Sequence, residues 1–160
     1  MRRKDREITD IDEKIDIIRN CKVCRLALSD NDAPYIIPLN YGFDFKDGVL
    51  NLFFHSAKEG KKIDIIRKNN KACFEADCDN KLITASKACN HGYSFRSIIG
   101  FGAIFIIENK DEKIDGLNKI MKHQTNKNFE YNYSENELNG VAVYKMVVNE
   151  FTGKKRETEG

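Results

Sequence analysis

The residues best suited to chemistry stand in one run, Phe54-His55-Ser56-Ala57-Lys58-Glu59-Gly60-Lys61-Lys62. Ser56 followed three residues later by Glu59 has the pattern of a capping box, and it comes just after the apolar stretch Val49 to Phe54, which suits a strand. The strand is therefore expected to end near His55 and a helix to begin at once. A helix start presents unpaired backbone N–H groups and the positive end of the macrodipole, and Lys58, Lys61 and Lys62 add side-chain cations there. That combination suits a phosphate, and the neighbouring His55 could hold or deliver a proton to whatever lies beside it. The same residues also describe an ordinary strand-to-helix junction with solvated lysines, and a lone histidine at a strand end is commonly structural.

Other reactive residue types lack such a setting. The five cysteines, Cys21, Cys24, Cys73, Cys78 and Cys89, are an odd set expected as reduced thiols. Cys21-x-x-Cys24 could join Cys73 and Cys78 in a zinc site, but Cys24 and Cys73 fall inside expected strands rather than on tight knuckles, so no metal is expected. His91 in a polar loop and His123 at a helix end are expected at the surface.

The elements that must position the lysine corner can be read from periodicity. An N-cap at Asp10 or Asp12 opens a short helix to Asn20, with Ile11, Ile15 and Ile18 at helical spacing. Lys22 to Leu28 alternates as a strand with Cys24, Leu26 and Leu28 on one face, and Ser29-Asp30-Asn31-Asp32 turns the chain. The return strand Tyr35 to Phe43 contains Pro38, which cannot donate to a ladder and so marks an edge, a bulge or a ligand-facing gap. After the corner a helix runs to about Lys68, with Ile63 and Ile66 inward and Ile65 at the margin of that face. Ala72 to Cys78 alternates strictly, with Ala72, Phe74, Ala76 and Cys78 buried.

A polar excursion, Asp79 to Gly92, precedes a long apolar run, Ser94 to Ile107, in which Gly100 and Gly102 argue for a bent strand. A helix over Asp111 to Lys122 leads to a polar loop, Asn126 to Gly140, carrying Phe129, Tyr131 and Tyr133. The last strand runs from Val141 to Phe151. Residues 1–10 and 152–160 are expected to be mobile tails. The motif Lys14-Ile15-Asp16-Ile17-Ile18-Arg19 recurs at Lys62 to Arg67, but the flanking segments differ, so two similar amphipathic helices are the simpler reading.

Bulk properties fit a single domain over 1–160: 160 residues, 41% hydrophobic and 32% charged. With 27 Lys+Arg against 25 Asp+Glu the net charge is only +2, which offers no global field for nucleic acid or an anionic membrane. Neither a secretory signal nor a spanning segment is expected, so the chain is read as cytoplasmic. The strand tally is six, in meander-like order, which suggests a mainly β fold: a small antiparallel barrel with accessory helices.

The run Phe54-His55-Ser56-Ala57-Lys58-Glu59-Gly60-Lys61-Lys62-Ile63-Asp64 closely resembles the hallmark of the nitroimidazole-resistance (Nim-type) flavoproteins, which belong to the pyridoxamine 5′-phosphate oxidase-like split barrels. Cys24 to Leu28, Pro34 to Gly42 and Phe95 to Gly102 match the family's pattern in the same order, so the resemblance covers about residues 1–150. It implies a six-stranded antiparallel split β-barrel of the FMN-binding type, working as a homodimer with FMN in the clefts between subunits. It also implies Ser56, Lys61 and Lys62 near the phosphate, Ile37, Pro38, Leu39, Asn40 and Tyr41 along the flavin ring and ribityl chain, and His55 beside the isoalloxazine as the catalytic group.

The implied activity is flavin-mediated reduction of a small substrate such as a nitroaromatic ring, with electrons from NAD(P)H or another donor. A non-catalytic flavin- or haem-binding protein on the same scaffold is the alternative. Pyridoxamine 5′-phosphate oxidation itself is disfavoured, because the second-strand pattern lacks the arginine-rich signature of the true oxidases. Lys87-Ala88-Cys89-Asn90-His91 matches the family only loosely, which leaves the outer substrate pocket unassigned.

Overall fold

A computed structural model describes residues 3–31, 33–128 and 131–157 of the chain; Asp32, Phe129 and the last three residues lie outside them. The three expected helices form, although the second starts later in the chain than the Ser56 cap implies. Helix α1 (Ile11–Asn20) is capped by the Asp10 carboxylate, which accepts from the backbone N–H of Asp12 at 2.7 Å and of Glu13 at 3.2 Å. Helix α2 (Lys61–Lys68) buries Ile63, Ile65 and Ile66, and α3 (Lys110–Thr125) is capped by Asn109.

The described residues form one antiparallel sheet of eight strands: β1 (Glu7–Ile8), β2 (Val23–Asp30), β3 (Ala33–Asn40), β4 (Gly42–Lys46), β5 (Val49–Ala57), β6 (Lys71–Ile83), β7 (Gly92–Ile106) and β8 (Val141–Arg156). Their order is β3-β2-β6-β7-β8-β5-β4, with the short β1 added to β8. One residue, Tyr41, separates β3 from β4, yet these are the two edges of the sheet. The chain therefore ties edge to edge and the sheet curls into a barrel, while among the described residues no ladder joins β3 to β4. This is a split barrel, and Pro38 sits on its edge strand as its missing N–H requires.

The expectation of six strands changes to eight for two reasons. The return strand breaks at Tyr41 into β3 and β4, and Glu7–Ile8 of the supposed mobile tail pairs with Gly153 and Lys154. For the same reason residues 152–156, expected to fray, continue β8: Thr152 to Arg156 pair with β7, and Lys155 reaches Glu13 at 2.8 Å. Both ends of the polar excursion, through Ile83 and from Gly92, extend the β6–β7 ribbon past an irregularity between Cys78 and Lys81. The β7–β8 ladder shifts register at Gly102: Phe101 pairs with Glu150 and Gly102 with Val148, so the extra residue is Asn149 on β8. The loop after α3 contains a short helix, α4 (Glu135–Gly140), opened by a true capping box between Ser134 and Glu137.

The main core fills the barrel and includes Cys24, Leu26, Phe54, Ile63, Phe74, Ile104, Tyr144 and Met146. A second cluster, Phe53, Ile107, Leu117, Ile120, Leu138 and Val143, seats α3 and α4 on the outside of β5 and β8. No helix among the described residues is long and apolar enough to cross a membrane.

Candidate functional site

The corner between β5 and α2 differs locally from its sequence signature. Ser56 and Glu59 do not form a capping box. Ser56 pairs opposite Ala142 inside the sheet, and its hydroxyl donates to the carbonyl of Ala57 at 2.9 Å. Cross-strand pairing therefore carries β5 through Ala57, the chain bends over residues 58–60, and Lys58 lies outside the helix. Gly60 is the N-cap, at φ 126°, with no side-chain cap; its carbonyl accepts from Ile63 and Asp64. Among the described residues no side chain caps the first N–H groups of α2, and Lys61 and Lys62 are its first two residues.

Lys61 reaches back to the β2–β3 hairpin. Its Nζ lies 3.0 Å from Asp30 Oδ2 and 4.9 Å from the centre of the Tyr35 ring. Lys62 is half-buried and has no ion pair among the described residues. Tyr144 is fully buried on the neighbouring strand, with its hydroxyl beside Ser56 and no well-formed hydrogen bond among the described residues. Burial pushes this phenol up to about 12. A buried hydroxyl without a partner costs about 1–3 kcal/mol. The half-buried Ser56 is its polar neighbour, near the end of β5. The donors present, two lysines, a helix N-terminus and a serine backed by Tyr144, fit a phosphate ester.

His55 and Ser56 are consecutive on a regular strand, so their side chains leave opposite faces of the sheet. His55 is exposed on the outer face, opposite Val143. β3 divides in the same way. Ile37 and Leu39 face inward and are half-buried against the core, whereas Pro38 and Asn40 stand exposed on the outer face. Tyr41 does not line an open surface. Its ring is buried and its hydroxyl donates to Ile18 O at 2.6 Å. Because β3 is one edge of the sheet and β5 lies next to the other, no ladder places His55 beside Pro38.

His123, expected at the surface, is only 6% exposed. Its Nδ1 lies 2.7 Å from Tyr41 O and its Nε2 3.0 Å from Arg19 O. A neutral ring can donate to only one of these carbonyls. A cation would satisfy both, but removal from water outweighs that gain and holds the imidazole below its ordinary value. Gln124 Nε2 donates to Tyr41 O and Lys22 O, and Asn40 Nδ2 donates to Lys22 O and Gln124 Oε1, both at 3.1 Å. Asn40 is thereby fixed from behind by α3. His91 is exposed.

The cysteines do not converge. Cys24 points into the core and Cys73 to the outer face, while the Cys21 and Cys78 thiols contact each other, each pushed up chiefly by burial. Among the described residues no group of three or more His, Cys, Asp or Glu is placed to hold a metal.

Sequence reasoning missed the outer face. Cross-strand register aligns Ile36, Ala27, Cys73 and Phe101 in one apolar row across β3, β2, β6 and β7, with Ile36 61% and Phe101 51% exposed. Beside it Arg25 pairs with Glu75 at 3.3 Å and with Asp77. The Glu75 carboxyl is pushed up, first by burial and then by Asp77. Alternation in each strand contained this row, but only the register between strands assembles it.

Comparison with known proteins bears on the family and the fold. A family model described as pyridoxamine 5′-phosphate oxidase matches residues 10–155. No functionally curated protein matches the chain. A crystal structure from Bacteroides thetaiotaomicron, described provisionally as a 5-nitroimidazole antibiotic resistance protein, is 31% identical with a TM-score of 0.79, covering 93% of this chain and 86% of its own. The flavocytochrome Anf3 from Azotobacter vinelandii has a TM-score of 0.80 at 17% identity, covering 98% of this chain and 72% of its own. The FAD and heme binding protein from Mycobacterium smegmatis has a TM-score of 0.79 at 16% identity, covering 95% and 74%. The last two are alike in fold alone. Matched over most of its length by the family model, and by a relative above 30% identity, the chain belongs to the pyridoxamine 5′-phosphate oxidase-like split-barrel family.

Proposed function

We propose that this protein binds FMN and uses it to reduce a small substrate, of which a nitroaromatic ring is the leading class. The observation that carries the reading is the β5–α2 corner, where Ser56, near the end of the strand, lies beside a Tyr144 hydroxyl that has no well-formed hydrogen bond among the described residues, and Lys61 and Lys62 open a helix without a side-chain cap. The flavin phosphate would lie there, and Ile37, Pro38, Leu39 and Asn40 would meet the ring and ribityl chain along β3. Tyr41 serves from inside the core, by holding the strand break. The likeness to the Bacteroides thetaiotaomicron protein supports the nitroaromatic class.

A homodimer completes the reading. The row Ile36, Ala27, Cys73 and Phe101 is an apolar strip of the kind that marks a protein contact, and a second copy laid on it would bury it. It would also allow His55 of one copy and β3 of the other to border one cleft, which the sheet order denies to a single copy. FMN supplies two-electron redox chemistry when bound. The protein's part is to orient the ring, to exclude water through the dimer contact, and to hold at His55 a proton for delivery to the reduced substrate. NAD(P)H or another donor would bind transiently.

The test is anaerobic photoreduction of the FMN-loaded protein followed by addition of a nitroimidazole. Wild type should return to the oxidised spectrum, and His55→Ala should keep its flavin but reoxidise more slowly, by about 10²-fold for a lost general acid. Loss of flavin from His55→Ala with unchanged reoxidation of the remainder would reverse these roles. A flavin or haem carrier without turnover is the second reading, since His55 is an accessible imidazole and proteins described as binding haem share the fold. An intense Soret band in place of the two-band flavin spectrum would favour it.

A further inference from the structure

We infer that Asp30 competes with the ligand's phosphate for Lys61, and so sets how tightly the protein holds its flavin; this rests on the reading of the β5–α2 corner as a phosphate site. Lys61 is the first residue of α2, yet its ammonium is turned onto the hairpin between β2 and β3, 3.0 Å from Asp30 Oδ2 and above the Tyr35 ring. Both partners belong to strands that the hairpin ladder fixes: Asp30 pairs with Ala33, and Tyr35 with Leu28. The hairpin thus offers Lys61 a carboxylate and an aromatic face in a set position.

The corner is also marked as a polar site independently of Lys61, because the fully buried Tyr144 hydroxyl has no well-formed hydrogen bond and lies beside Ser56. Two anions are therefore in contention for one cation. A phosphate at the helix start must draw Lys61 away from Asp30 or accept a shared ammonium, and in either case it lies near the Asp30 charge.

The physics gives the competition a direction and a limit. Lys61 is 59% exposed and Asp30 30% exposed, so their ion pair is solvent-screened and weak, well suited to exchange. A dianionic phosphate on a helix N-terminus has the larger claim on the lysine, because the backbone N–H groups and Lys62 act with it. Asp30 then acts as a brake on affinity. Removing its charge while keeping its shape should tighten binding of a phosphorylated flavin and leave binding of a flavin lacking phosphate unchanged.

The experiment is equilibrium titration of FMN and of riboflavin, followed by flavin fluorescence, into wild type, Asp30→Asn, Lys61→Ala and the double variant, with thermal melting as the control for folding. Wild type should prefer FMN to riboflavin. Asp30→Asn should bind FMN tighter by about three- to tenfold, the scale of one partly screened charge contact, with riboflavin affinity unchanged. In the Lys61→Ala background the gain should shrink to less than about twofold, since most of it acts through the lysine. Equal gains for FMN and riboflavin, a gain that survives Lys61→Ala in full, or no gain at all would overturn the role of Asp30 while leaving the phosphate site in place. A wild type that binds FMN no better than riboflavin would overturn the phosphate site and this inference with it.

Discussion

The two ends of β3 are built in opposite ways. At its far end, Asn40 and Tyr41 are tied to α1 and α3 through a buried polar knot. His123 and Gln124 contact Tyr41 O, the Tyr41 hydroxyl donates to Ile18 O, and Lys22 Nζ donates to His123 O and Asn126 Oδ1. At the near end, Asp30 and Tyr35 hold Lys61 through a screened ion pair and a ring contact. The first set of contacts is largely shielded from water and resists exchange; the second is open to water and exchanges readily. A barrel that closes its seam at one end and leaves its cations loosely held at the other can keep its shape while the open end accepts an anion.

The comparison can be broken most severely at the closed end. α3 crosses β4 so closely that a Cβ on Gly42 would stand 2.3 Å from Ile120 N and 2.4 Å from the Lys119 carbonyl carbon. Gly42→Ala must therefore displace backbone, and a loss of about 3 kcal/mol is expected by denaturant unfolding. His123→Ala comes next, at about 2–3 kcal/mol, because it opens a cavity and leaves the carbonyls of Tyr41 and Arg19 short of donors.

The same histidine gives the closed end a pH signature. Burial holds His123 below its ordinary value in the fold, so the unfolded chain binds its proton first. The contribution is complete above about pH 6.5 and declines as the pH falls below it. Melting temperature should drop on acidification from pH 7 to 5 in wild type, with a flatter profile in His123→Gln. A profile that steepens in the variant would mean that His123 is held as a cation. The smallest effect belongs to the open end: Lys61→Ala should change stability by less than about 0.5 kcal/mol.

This contrast also explains what could be read in advance. β2, β5, the first half of β6 and helices α1 to α3 were legible because each carries its own period: Cys24, Leu26 and Leu28 on one strand face, Ile63 and Ile66 on one helix face. The burial of His123 was not, since its partners Arg19 and Tyr41 lie about a hundred and about eighty residues away. The break at Tyr41 was hidden within a continuous strand-like run, and the pairing of Thr152 to Arg156 was hidden by their charge, because partners on β7 decide it. Ser56 and Glu59 gave a local capping pattern that cross-strand pairing with Ala142 overrode, whereas the working capping box, Ser134 and Glu137, lay in a stretch read only as polar loop. Within the site, the lysines and His55 announced themselves by type. Asp30, Tyr35 and Tyr144 became visible only once the hairpin, α2 and β8 were brought together.

The central claim is that the loosely held cations of α2 bind the phosphate of FMN. Its most direct test is the visible spectrum of wild type and of Lys61→Ala/Lys62→Ala after incubation with excess FMN and gel filtration. Wild type should show an equimolar two-band flavin spectrum and the variant at least about tenfold weaker retention, with the flavin-free proteins melting at the same temperature. A colourless wild type, or a variant that retains flavin as well as wild type, would contradict it.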